Sequence, residues 1–123
     1  MILLKELKEK DSRICACMVA RHGLEGLMMF PESFKEDVAD IWEPLSKNID
    51  DMLSLVAKYG QIGLKKSYTE LLGYGVYFGV VSMSDTALIV IVKGDNPLEY
   101  AKDIVGLQDE TNKKIYTLFG ITD

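Results

Sequence analysis

Cysteine is scarce: there are two in 123 residues, both in Cys15-Ala16-Cys17. Two thiols cannot build the framework of a small secreted domain, so a reducing cytoplasm is the expected compartment. Histidine is scarcer, with His22 alone. Long apolar runs are missing as well. The longest, residues 14–20 and 87–92, fall far short of the ~20 residues that span a bilayer. Lys5-Glu6 follows Met1-Ile-Leu-Leu at once, which leaves no room for a signal-peptide core, and no membrane insertion is expected. Basic charge is in short supply, 14 Lys and Arg against 19 Asp and Glu. That is a poor footprint for a phosphate backbone, so no nucleic-acid partner is expected. There is no Ser- or Pro-rich linker, no low-complexity segment and no long internal repeat. One domain over residues 1–123, large enough to bury its own core, is the organisation this leaves.

What is present begins with a concentration of acid. Between Glu32 and Asp51 lie Glu32, Glu36, Asp37, Asp40, Glu43, Asp50 and Asp51, against only Lys35 and Lys47, so this stretch carries the whole net charge of −5. It reads either as a solvated helix flank or as a surface that selects a partly basic protein.

Hydrophobic period gives the elements. Leu3, Leu4 and Leu7 make an amphipathic helix of residues 2–9. Residues 14–20 form a buried strand, Arg21-His22-Gly23 a turn, and residues 24–30 the returning strand. Pro31-Glu32-Ser33 breaks the sheet, with Ser33 and Glu36 spaced as a capping box. Phe34, Val38, Ile41, Leu45, Ile49, Met52, Val56 and Tyr59 then keep one stripe along a single helix of residues 34–59. Pro44 kinks it and Gly60 ends it. Trp42 and Leu53 widen the stripe, which reads equally as fuller coverage of the sheet or as a contact with another chain. From residue 61 the period becomes two: Ile62, Leu64, Lys66 and Tyr68 alternate with smaller or polar residues, as on an edge strand. Residues 73–83 and 86–93 are the remaining strands. Asn96, Pro97 and Glu99 open a last helix, which runs to Gly120. The order α-β-β-α-β-β-β-α makes one antiparallel sheet with helices on its faces, an α+β fold.

No motif assembles chemistry. Cys15 and Cys17 at i and i+2 point to one face of a strand, but a metal needs two further ligands and none is spaced to join them. Gly73, Gly75 and Gly79 do not form a phosphate loop, because no helix opens after them. The acids of the long helix have no calcium-loop spacing. No base, nucleophile and orienting group occur together, so no enzyme, metal or cofactor is expected.

The whole pattern, residues 3–119, resembles the roadblock / dynein light chain family. The features that carry this are the strand 14–20, the glycine turn in Arg21-His22-Gly23-Leu24, the helix 34–59, the three-strand meander, and a last helix opened by Asp95-Asn96-Pro97-Leu98. The resemblance implies a five-stranded antiparallel sheet with the long helix on one face and the terminal helices on the other. It implies no catalysis. It also implies a homodimer, or a pair with a paralogous chain, that acts as scaffold or regulator of a small Ras-like GTPase or as a dynein accessory chain. With the free edge expected at 62–70, it places the dimer contact at Leu64, Lys66 and Tyr68, joined by Ile41, Leu45, Ile49, Met52 and Leu53 of the long helix. Asp37, Asp40 and Glu43 are the candidates for meeting the GTPase. The alternative is a profilin-like or PAS-like sensor holding a small molecule or peptide between helix and sheet, with the aromatic residues Tyr74, Tyr77 and Phe78 as its cue.

Overall fold

The computed structural model describes residues 2–21, 27–81 and 84–118. Five strands form: β1 (Ile14–Arg21), β2 (Leu27–Phe30), β3 (Lys66–Leu71), β4 (Tyr74–Val80) and β5 (Thr86–Lys93). All neighbours pair antiparallel in the order β2-β1-β5-β4-β3, so the first and last strands lie side by side, with Ile14 opposite Val92. Helices α1 (Ile2–Glu9) and α4 (Ala101–Leu118) cover one face; α2 (Phe34–Asp37) and α3 (Trp42–Tyr59) cover the other. β5 is buried along both faces, as its unbroken apolar run requires. Ala87, Ile89 and Ile91 meet Phe34, Leu45, Ile49, Leu53 and Val56 on the α3 side. Leu88, Val90 and Val92 meet Leu4, Leu7, Ile104 and Ile115 on the other. This is the expected α+β architecture, with the long helix and the terminal helices on opposite faces. No described helix is long and apolar enough to cross a membrane.

The long helix is not one helix. It breaks between Val38, with φ −118° and ψ 31°, and Ile41, with φ −121° and ψ 3°. The cause is Pro44, whose ring would meet the carbonyl four residues back if the helix ran through. Pro44 therefore sits in the first turn of α3, where its missing N–H costs nothing. The hydrophobic phase survives because Phe34 and Val38 still reach the core. Ser33 forms no capping hydrogen bond.

Three further boundaries differ from expectation. Gly60 ends α3 where expected, but the chain does not turn there. It continues in helical conformation into a 3-10 turn, Gly60–Ile62, and the chain reverses at Gly63, where φ is +119°. Leu64 N–H then bonds back to the Tyr59 carbonyl at 3.0 Å, a glycine-terminated helix end displaced by three residues. Ile62 thus belongs to the helix side, and β3 starts at Lys66 rather than at 62. At the last helix, Asn96 caps no backbone group; its Nδ2 donates to Glu99, and Pro97–Tyr100 form a 3-10 turn before α4. The hairpin between β1 and β2 is present, while His22 and Gly23 of its expected turn lie outside the described residues.

The two cysteines do not share a face. The β1–β5 register shifts between Ile14 and Ala16, and this bulge puts Cys15 with the α3-side core and Cys17 with the α4-side core. An extra residue in one strand interrupts the two-residue alternation on which the expectation rested. Burial pushes the Cys17 thiol up to about 12, so it behaves as a small apolar side chain.

One polar cluster ties α4 to the chain between α1 and β1. Arg13 donates from Nη2 to Asp11 at 2.6 Å and to Asp103 at 3.0 Å, and its guanidinium lies 4.4 Å over the Tyr100 ring. The hydrogen bond from Arg13 holds the Asp11 carboxyl below its ordinary value of 3.8, against the opposing effect of burial. A carboxyl that gives up its proton more readily when folded adds stability above that ordinary value, and the gain is lost as pH falls through the folded one. Asp11→Asn is therefore expected to melt lower than the parent at neutral pH. The gap should close when the melts are repeated below pH 3.8.

Candidate interaction surface

α3 carries two apolar stripes, not one broad stripe. Leu45, Ile49, Leu53 and Val56 pack into the protomer's own core. Met52, Leu55, Tyr59 and Ile62 follow one another at spacings of 3, 4 and 3 along a flank about a quarter turn away. Met52 is half-buried; Leu55, Tyr59 and Ile62 are 42%, 47% and 77% exposed. Asn48, one turn before Met52, has its Oδ1 buried with no hydrogen-bond partner.

This stripe runs into β3. Only residues 63–65 separate Ile62 from Lys66, and among the described residues β3 pairs with β4 alone, leaving its other edge open. Its residues divide by face: Leu71 and the preceding Leu64 touch the α3-side core, whereas Tyr68 packs on the α4 side. Tyr68 tilts against Tyr77 at 4.8 Å and donates its hydroxyl to Glu70 at 3.1 Å. Burial first, and then Glu70, push the Tyr68 hydroxyl up to about 12, so it stays protonated and keeps that bond. Lys66 pairs with Asp109 of α4 at 3.0 Å.

Three residues assigned to the dimer contact are thereby corrected. Leu45, Ile49 and Leu53 lie beneath α3 against the sheet, so they cannot also face a neighbour. Ile41, Met52 and Leu64 are partly buried at the margin of that core, and Lys66 and Tyr68 stand on the open edge strand. Ile62 was expected on the edge strand and instead continues the exposed stripe of α3, whereas Leu55 had no place in the expected stripe.

The acids lie on α2, on the break and on the start of α3. Asp37, Asp40 and Glu43 are exposed. Glu43 occupies the first turn of α3, where a carboxylate is favoured by the unpaired N–H groups. Lys35 lies 6.0 Å over the Trp42 ring on the same flank.

The aromatic cue for a sensor is consumed by packing. Tyr74 meets Phe34 edge-on at 6.5 Å, Tyr77 donates its hydroxyl to the Pro97 carbonyl at 2.6 Å, and Phe78 is fully buried. Among the described residues no group of three or more His, Cys, Asp or Glu could hold a metal ion.

The sequence matches no protein-family model and no curated protein. The structure does find counterparts. It is similar to the Roadblock/LC7 domain from Streptomyces avermitilis, with TM-score 0.66 and 14% identity over 98% of this chain and 97% of that one. It is similar to MglB of Myxococcus xanthus, with TM-score 0.65 and 10% identity over 97% and 86%. For MglC from the same organism the values are 0.59 and 15%, over 92% and 96%.

Proposed function

We propose, from a fold shared with Roadblock/LC7 domains, that this protein is a non-catalytic scaffold or regulator that works as a dimer with a small Ras-like GTPase in the cytoplasm. The observation that carries the reading is the exposed stripe Met52, Leu55, Tyr59 and Ile62 running into an unpaired strand edge. Apolar side chains left in water beside open backbone groups are stabilised by being covered. A second copy covers both at once. Two β3 strands related by a twofold axis pair antiparallel and join two five-stranded sheets into one. The same operation brings the two α3 helices together on one side, with Ile41 and Leu64 at the rim and Lys66 and Tyr68 along the seam. A donor from the partner would satisfy the buried Asn48 oxygen. A paralogous chain with the same edge would fit in the same way.

The acidic flank is then the surface for the GTPase. Asp37, Asp40 and Glu43 stay exposed when α3 pairs through its outer stripe. Charges of one sign raise association rate more than affinity. Asp37→Lys with Asp40→Lys should slow association with the cognate Ras-like GTPase of the same genome, flatten its salt dependence and leave the dimer intact. Stopped-flow binding at low and high salt measures this. An unchanged association rate at low salt would move the contact elsewhere, and no binding by any such GTPase would remove the partner from the reading.

A further inference from the structure

The α4 side of the sheet holds a groove that the acidic flank leaves unused and that borders the proposed dimer seam at Lys66. It lies where Lys65 and Lys66 face Asp109, Asn112, Lys113 and Tyr116 of α4, and its volume is about 670 Å3. That size suits a small molecule. In a chain of net charge −5, three lysines converge here against one carboxylate. Lys66 is paired with Asp109 at 3.0 Å. Among the described residues, Lys65 and Lys113 have no ion-pair partner. Two uncompensated cations at one concavity repel each other, and a bound anion reverses the sign of that interaction.

Asn112 adds an independent observation. Its Oδ1 is buried and has no hydrogen-bond partner. Its Nδ2 lies against Gly79, where a Cβ would come within 2.8 Å. The bare backbone at 79 is what lets this carboxamide settle on the sheet. Gln108, one turn earlier, sits over the same glycine, and its Nε2 donates to the carbonyls of Tyr77 and Leu88 at 3.0 and 2.9 Å. Of two amides seated there, one is spent on the fold and the other is not. A buried acceptor left unpaired is costly and calls for a donor.

We propose that this groove binds a phosphate ester of a hydroxylated small molecule. Lys65 and Lys113 hold the phosphate through charge-assisted hydrogen bonds. On binding, the Asn112 carboxamide turns its Oδ1 into the groove to accept from a hydroxyl, and the half-buried Tyr116 ring walls the carbon skeleton. A soluble sugar phosphate and the phosphoglycerol headgroup of a lipid share this chemistry.

Ribose 5-phosphate titrated into isotope-labelled full chain should give saturable NMR shifts confined to residues around 65, 66, 112 and 113. Lys65→Gln with Lys113→Gln should weaken binding about tenfold or more. Asn112→Leu separates a site from an accident of packing. It should raise the melting temperature by removing the orphaned acceptor, and should also weaken ribose 5-phosphate while leaving inorganic phosphate unaffected. Co-sedimentation with phosphatidylglycerol vesicles, but not phosphatidylcholine vesicles, in the absence of ribose 5-phosphate binding would assign the groove to a headgroup. The proposal is overturned if neither ribose 5-phosphate at millimolar concentration nor phosphatidylglycerol binds. It is equally overturned if Asn112→Leu leaves ribose 5-phosphate binding unchanged, which would reduce the groove to a patch of charge.

Discussion

Gly60→Ala is expected to destabilise the protein by about 3 kcal/mol, a large cost for one methyl group. Conformation is not the reason. Gly60 is helical, with φ −59° and ψ −40°, where alanine is intrinsically favoured by roughly 1 kcal/mol. The reason is space: a Cβ there would collide with the backbone carbonyl oxygen of Ser84. That carbonyl cannot easily retreat. Ser84 is buried, its N–H bonds to the Val81 carbonyl at 3.1 Å, its hydroxyl donates to the same carbonyl at 2.7 Å, and that hydroxyl accepts from Thr86 N–H at 3.1 Å. Gly63 is the contrasting case three residues on. A Cβ there meets nothing within 4 Å, but φ is +119°, so alanine costs about 1–3 kcal/mol in backbone strain alone. Denaturant unfolding of both variants measures the difference. A Gly60→Ala protein as stable as its parent would mean that the α3 terminus does not lie against the end of β4.

Leu55→Asp combined with Ile62→Asp is expected to convert a dimer into a monomer of 13.8 kDa without unfolding it. Both side chains are exposed in the single protomer, so folding should change by no more than about 0.5 kcal/mol. Association should suffer far more, because two carboxylates per chain would have to be buried without partners. Light scattering at micromolar concentration reads the mass, and a thermal melt confirms the fold. Ile49→Ala is the control that separates the two stripes of α3. It should cost about 2–5 kcal/mol of folding stability through the cavity it leaves, while acting on association only through loss of folded protein. A parent that scatters as 13.8 kDa at the same concentration would end the dimer proposal. Selective dissociation by Ile49→Ala would return the contact to the inner stripe.

How much was legible follows from which forces act locally. β5 was read to the residue because an unbroken Val/Ile/Leu run has one good use, a strand buried on both faces. The faces of the sheet were legible for the same reason. The break before Pro44 was missed because hydrophobic phase survives a short non-helical step, and only the clash of the proline ring with a carbonyl four residues back reveals it. The Cys15 bulge and the 3-10 extension after α3 depend on register and on a backbone contact with Ser84, which are tertiary and leave no local mark. The exposure of the acids and the edge position of the third strand could be read from the sequence. What could not be seen was which of two stripes on α3 the sheet would claim, since both are apolar and a quarter turn apart. The unpaired amide of Asn112 was invisible because its partner in shape is an absence of side chain at Gly79.

The placement of β1 beside β5 also bears on how the chain is made. Ile14 must wait for Val92, and Arg21 for Thr86, so during synthesis β1 has only the four-residue β2 to pair with until nearly all of the sheet has left the ribosome. Contacts this distant in sequence are slow to close. A nascent chain ending anywhere before β5 leaves β1 without its longer hydrogen-bonded neighbour. The same adjacency that buries the centre of the finished sheet leaves the unfinished sheet open at its middle until the last strand is made.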